Sequence, residues 1–182
     1  MTNITEVVNW YKFKKKEARK HPNPSLYAKL SKEAEEQMSR ITDAESEITE
    51  YYKKSVQTGD WEDETYWGLA AIVHPSDRYF DYFYKILEKN DSNYPHWSVL
   101  DKLAWVPNAL CPAAAKVIEK AIDLNNPSWS KDVLNKAFEA LTWVGDKEAV
   151  VFIQQKCRSE HKRIAEMAEY WMHNINDDWE EE

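Results

Sequence analysis

The sequence predicts an all-α protein, and three observations carry that expectation. Only three glycines, Gly59, Gly68 and Gly145, occur in 182 residues, and neither Asn-Gly nor Asp-Gly is among the dipeptides. A sheet joined by tight hairpins normally needs more of both. The seven prolines (Pro22, Pro24, Pro75, Pro95, Pro107, Pro112 and Pro127) fall at punctuating positions, where one helix can begin or has just ended. Between them, apolar residues recur three and four positions apart, the period of a helix face.

Taken in order, residues 3 to about 21 form a first helix, with Val7, Val8, Tyr11 and Ala18 among its apolar positions, and Pro22-Asn23-Pro24 ends it. Ser25 is the expected cap of a second helix with Leu26, Leu30, Ala34, Met38 and Ile41 on one face. Thr42 to Glu45 is either a break or a continuation. Ile48, Tyr51, Tyr52 and Val56 mark the next helix, and Gly59 closes it.

From Trp61 the pattern repeats. Trp105-Val106 and Trp143-Val144 are 38 residues apart, and Ile72-Val73 lies 33 residues before the first of them. Each pair ends an apolar helix and is soon followed by Pro75, Pro107 or Gly145. Three helix pairs emerge, beginning near Ser76, Pro112 and Asp146, with residues 61–73 as the second half of a partial unit. The expected organisation is a helical cap over 1–59, a repeat region over 60–176 and a fraying acidic tail over 177–182, all in one compact unit.

Composition narrows the function. A chain of this length can bury about 70% of its unfolded surface, so it needs no disulfide or metal. Cys111 and Cys157 are isolated, and each is expected as a small buried apolar side chain. The first residues contain no apolar leader and no segment approaches the ~20 apolar residues of a membrane span, so a cytoplasmic protein is expected. The net charge is −8, but residues 1–21 carry +4 and the remainder −12. An acidic body disfavours phosphate-backbone binding. It favours a basic protein partner, although surplus carboxylates also serve solubility. No HExxH, ExxH, GxSxG, P-loop or GxGxxG pattern occurs. No catalytic residue, metal or cofactor is therefore expected.

The stretch Ala140-Leu141-Thr142-Trp143-Val144-Gly145-Asp146-Lys147-Glu148-Ala149-Val150 resembles the junction of bacterial HEAT-like repeats. There one helix ends in Ala-Leu, a Gly-Asp turn follows and the next helix starts with Ala-Val. Val133, Ala137, Ala140, Leu141 and Val144 reproduce the spacing of that family's inner helix, and Ile164, Ala168, Trp171, Met172 and Ile175 repeat it with bulkier residues. The resemblance covers about residues 61 to 176. It implies a right-handed α-solenoid of HEAT-like helix pairs, preceded by N-terminal capping helices, in which no pair buries its stripe alone. The family's usual Arg after the first inner-helix position is replaced by Leu134 and Ala165.

Trp97 and Asp101 are also similar to the W-x-x-x-D of HEAT-like DNA alkylation-repair glycosylases, where the pair lines the DNA-facing groove and the Asp stabilises a cationic nucleotide. That family's later inward Arg has no counterpart in the segment SWSKDVLNK.

Nine Trp, ten Tyr and five Phe supply many possible interface anchors. Trp61, Trp97 and Trp129 recur near the starts of three successive inner helices. With Glu62, Asp63, Glu64, Trp67, His96, Asp101 and Asp132 they form the candidate partner-binding set. The competing expectation is that each Trp staples its helix start to the preceding turn. Trp105, Trp143 and Trp171 are expected in the core, and the run Tyr79, Phe80, Tyr82, Phe83, Tyr84 cannot all face inward. The expected function is a non-catalytic protein-binding scaffold resembling the immunity proteins of bacterial toxin systems, with a basic, nuclease-like toxin domain as partner. A glycosylase acting on alkylated bases and a general assembly adaptor are the alternatives.

Overall fold

A computed structural model describes residues 2–89, 91–125, 129–145 and 147–179. Among them are ten α-helices, two short 3₁₀ turns and no strand. The chain divides into two compact units, Met1–Tyr79 and Phe80–Glu182. The segment from Trp61 to Val73 thus groups with the N-terminal helices.

In the first unit, α1 spans Ile4–Ala18, α2 Pro24–Met38, α3 Glu45–Thr58 and α4 Glu64–Val73, followed by a 3₁₀ turn at Asp77–Tyr79. Helix α1 packs on the other three helices, and α4 also touches α2 and α3. The α1 cap is Asn3, whose Oδ1 accepts the Glu6 N–H at 2.9 Å. The helix ends at Ala18, earlier than expected, because the N–H groups of Lys20 and His21 turn back to the carbonyls of Glu17 and Ala18.

Asn23, not Ser25, caps α2: its Oδ1 accepts the Ser25 N–H at 3.0 Å. Pro24 occupies the first helical position, where a missing N–H costs nothing. The chain breaks before Glu45, so α2 and α3 are separate helices. Gly59 adopts φ 70°, and its N–H bonds the Ser55 carbonyl at 2.8 Å. That left-handed cap is strained for any residue bearing a Cβ. Ile4, Val7, Val8, Ala34, Met38, Ile48, Tyr52 and Ala70 fill the core.

In the second unit, α5 spans Phe80–Leu87, α6 His96–Ala104, α7 Cys111–Asn125, α8 Lys131–Val144, α9 Lys147–Lys156 and α10 Lys162–Trp179. Consecutive helices pair as α5 with α6, α7 with α8 and α9 with α10. The even helices also contact in succession, α6 to α8 to α10, as do the odd ones, α5 to α7 to α9. Ala137, Ala140 and Ala168 are fully buried, and side chains this small let neighbouring helices approach closely. Gly145 ends α8 for a related reason. A Cβ there would collide with the Leu141 carbonyl oxygen and the Ala149 side chain.

Several expectations need correction. Trp105 and Trp143 are not core residues; they are 63% and 62% exposed. Trp171 is half-buried, and its indole N–H donates to Asn135 Oδ1 at 3.1 Å. Both cysteines are free thiols, only half-buried. Asp177, Asp178 and Trp179 of the expected tail are the last residues of α10; residues 180–182, like Asp146 of the Gly-Asp turn, lie outside the described residues. The aromatic run divides as anticipated. Tyr79, Phe80 and Phe83 are buried, while Tyr82 and Tyr84 are half-buried with Lys85 and Lys120 over their rings.

Candidate partner-binding face

The predicted set falls in both units. In the first, Trp61 precedes α4 and is half-buried, and Glu64 is buried. Trp67 lies flat on Tyr51, with centroids 4.9 Å apart and planes 8° from parallel. Lys12 binds Asp63 at 2.6 Å and Glu62 at 3.7 Å. The acidic residues here are therefore largely engaged within their own unit. Glu62, Asp63 and Trp67 line a polar cleft of about 430 Å³ together with Glu47 and Tyr51.

In the second unit, Trp129 and His96 are structural. Trp129 is 3% exposed. Its indole N–H donates to the Leu87 carbonyl at 3.3 Å, and its own carbonyl accepts from Arg163 Nη2 at 2.7 Å. It fastens the approach to α8 to the end of α5, not to the turn just before the helix. His96 is also buried, 6.2 Å from the Trp129 ring, and its Nε2–H donates to the Lys89 carbonyl at 2.7 Å.

Burial lowers the His96 pKa more than its hydrogen bonds to the Lys89 and Ile86 carbonyls raise it. The unfolded chain takes up this proton near pH 6.5, the folded chain only at lower pH. The contribution of His96 to stability is complete above about pH 6.5 and is lost as pH falls through the folded pKa, at no more than ~1.4 kcal/mol per pH unit. Urea titrations between pH 5 and 8 should show this loss in the wild type, and His96→Gln should flatten it.

Trp97 and Asp101 form an outward pair on α6. The Trp97 ring is 54% exposed. Lys136 on α8 reaches across: its ammonium lies 4.5 Å from the Trp97 ring centroid, 3.0 Å from Asp101 Oδ1 and 3.1 Å from Glu139 Oε2. Burial opposes the charge on Lys136, but the hydrogen bonds to Asp101 and Glu139 and their charges outweigh it, and the pKa is raised. One ammonium thus holds two carboxylates, each still about a third exposed, and the cluster keeps a net negative charge.

Four residues further on stand Trp143 of α8 and Trp105, the residue just after α6, stacked with centroids 5.7 Å apart at 30°. Beyond α8, Asp132 lines a cleft of about 520 Å³ with Arg163, Glu166 and Tyr170 of α10. Tyr170 is 57% exposed.

Sequence reasoning found Trp97, Asp101 and Asp132 but missed Lys136, Glu139, Trp105, Trp143 and Tyr170. A signal for three of the five was present. Asp101-Lys102-Leu103-Ala104-Trp105-Val106 and Glu139-Ala140-Leu141-Thr142-Trp143-Val144 share an acid-x-Leu-x-Trp-Val pattern. The leucines Leu103 and Leu141 are fully buried, so the acid and the Trp, four residues apart, are left on the outer surface.

Among the described residues no three His, Cys, Asp or Glu are grouped to hold a metal, and no helix is long and apolar enough to cross a membrane. No protein-family model matches the chain, and no curated protein or solved structure does either.

Proposed function

We propose that the chain is a non-catalytic protein-binding scaffold of HEAT-like helix pairs arranged as a right-handed α-solenoid. Its partner is a basic protein, and the reading that best fits is an immunity protein that occludes a cationic toxin domain. The observation that carries this is the outer surface of α6, α8 and α10. It sets Trp97, Trp105, Trp143 and Tyr170, all more than half exposed, beside Asp101, Glu139, Asp132 and Glu166, with Lys131, Lys136 and Arg163 on the same helices, and Lys136 leaves the Asp101–Glu139 pair one net negative charge. Exposed aromatic side chains supply anchors, and the surrounding carboxylates steer a cationic surface into place. The engagement of Asp101 by Lys136 weighs against the glycosylase alternative, because it spends on an internal cation the charge that a cationic nucleotide would need.

The test is capture on the tagged chain in low salt, followed by expression of the captured protein alone and with the chain. A basic protein, toxic alone and harmless when coexpressed, is the expected result, with release from the chain at high salt. A partner that is acidic, or whose expression is harmless alone, would sink the immunity reading.

A further inference from the structure

Resting on that reading, we infer that the C-terminal ends of α6 and α8 form a recognition site for an arginine side chain of the partner, built from Trp105, Trp143, Asp101 and Glu139.

Four features converge there. The indoles of Trp105 and Trp143 are stacked on each other, yet each is more than 60% exposed. A flat aromatic surface of that kind is matched by the planar, weakly hydrated guanidinium, whereas a lysine ammonium is a compact, strongly hydrated charge. Each Trp lies four residues beyond its acid, so a side chain lying on the indoles brings its charged end towards Asp101 and Glu139. Lys136 binds Asp101 Oδ1 and Glu139 Oε2 and leaves both carboxylates about a third exposed. Bidentate pairing with a carboxylate is a property of the guanidinium fork.

The site also lies where two helices present the negative ends of their dipoles, which favour a cation. The last turn of α8 contains no basic residue. Lys102 of α6 is buried, with its ammonium on the Ser98 carbonyl and hydroxyl at 3.0 and 2.6 Å. Lys136 displays the same chemistry internally, a cation held between an indole and two carboxylates. The duplicated acid-x-Leu-x-Trp-Val pattern sets the same pair of groups on adjacent helices, so the site is assembled from both.

The experiment titrates the intact chain with hexa-arginine amide and, separately, hexa-lysine amide at low salt. It follows indole N–H resonances and tryptophan fluorescence. The expected result is binding of the arginine peptide about tenfold tighter than the lysine peptide, with the Trp105 and Trp143 resonances shifting most. Trp105→Ala and Trp143→Ala should abolish the preference while leaving the weaker lysine-peptide binding in place. Equal binding of the two peptides would overturn the arginine site and leave the basic-partner reading standing. A preference that survives both Trp substitutions would place any arginine site elsewhere and overturn this one. If the chain alone sediments as a dimer that Trp143→Ala dissociates, the face belongs to a second copy and the inference falls. The immunity reading has its own readout in toxicity, so the two can fail separately.

Discussion

Trp129→Ala is expected to destabilise the second unit by about 3–5 kcal/mol, a loss large enough to lower its melting temperature by more than about 10 °C. Trp129 is 3% exposed, its indole N–H is bonded to the Leu87 carbonyl, and its ring lies 6.2 Å from that of His96. Truncation removes the apolar contacts of a large aromatic side chain, deletes a hydrogen-bond donor and leaves a cavity beside a buried imidazole.

The control is Trp143→Ala. There the side chain is 62% exposed and its main aromatic contact is Trp105. An exposed pair of this kind is worth no more than about 0.5–1.5 kcal/mol. Chemical denaturation of both variants separates the roles. If Trp129→Ala costs less than Trp143→Ala, Trp129 is not the staple described above and the assignment of structural and outward tryptophans is reversed.

That contrast shows what could be read from sequence and what could not. Helical period, prolines and Gly59 located the helices, because these signals are local and depend on the backbone. The cap of α2 was misplaced by two residues. Asn23 and Ser25 are both good caps, and Pro24 between them is compatible with the first turn of a helix that starts at Pro24 as much as with the end of a loop. The helix pairing of residues 80–179 was legible because alanines and leucines at inner-helix spacing have one stable place, against a neighbour.

The tryptophans were not legible in the same way. Trp105 and Trp143, expected in the core, stack outward, while Trp129, expected either as an interface anchor or as a staple, lies inside. Which of the two occurs depends on contacts between helices far apart in sequence. Lys136 shows the same limit. Its position on α8 says nothing of Asp101 35 residues earlier, and only the packing of α6 on α8 brings them to 3.0 Å.

The Lys136 cluster leads to the second large effect, an asymmetry between its two sides. Asp101→Asn with Glu139→Gln is expected to cost about 2–3 kcal/mol, because it leaves a buried ammonium with no carboxylate partner. The upper end for a fully buried pair is not reached, since both carboxylates are about a third exposed and water screens them. Lys136→Met should cost less, about 1 kcal/mol. Methionine keeps the buried stem but loses the cation over the Trp97 ring, while Asp101 and Glu139 are exposed enough for water to take over their solvation. Combining all three substitutions should recover most of the loss of the carboxylate pair, because the buried charge that made the removal costly is gone. Urea denaturation of the three variants and the wild type, analysed as a cycle, measures the coupling directly. An additive result, with the triple variant less stable than Asp101→Asn/Glu139→Gln, would mean that Lys136 is solvated in its own right and does not hold the two carboxylates. Alkaline titration gives an independent reading. With its folded pKa raised, the stabilisation from the Lys136 charge is complete below the unfolded lysine pKa and disappears as pH rises through the folded one. The difference in stability between wild type and Lys136→Met should therefore narrow above about pH 10.4.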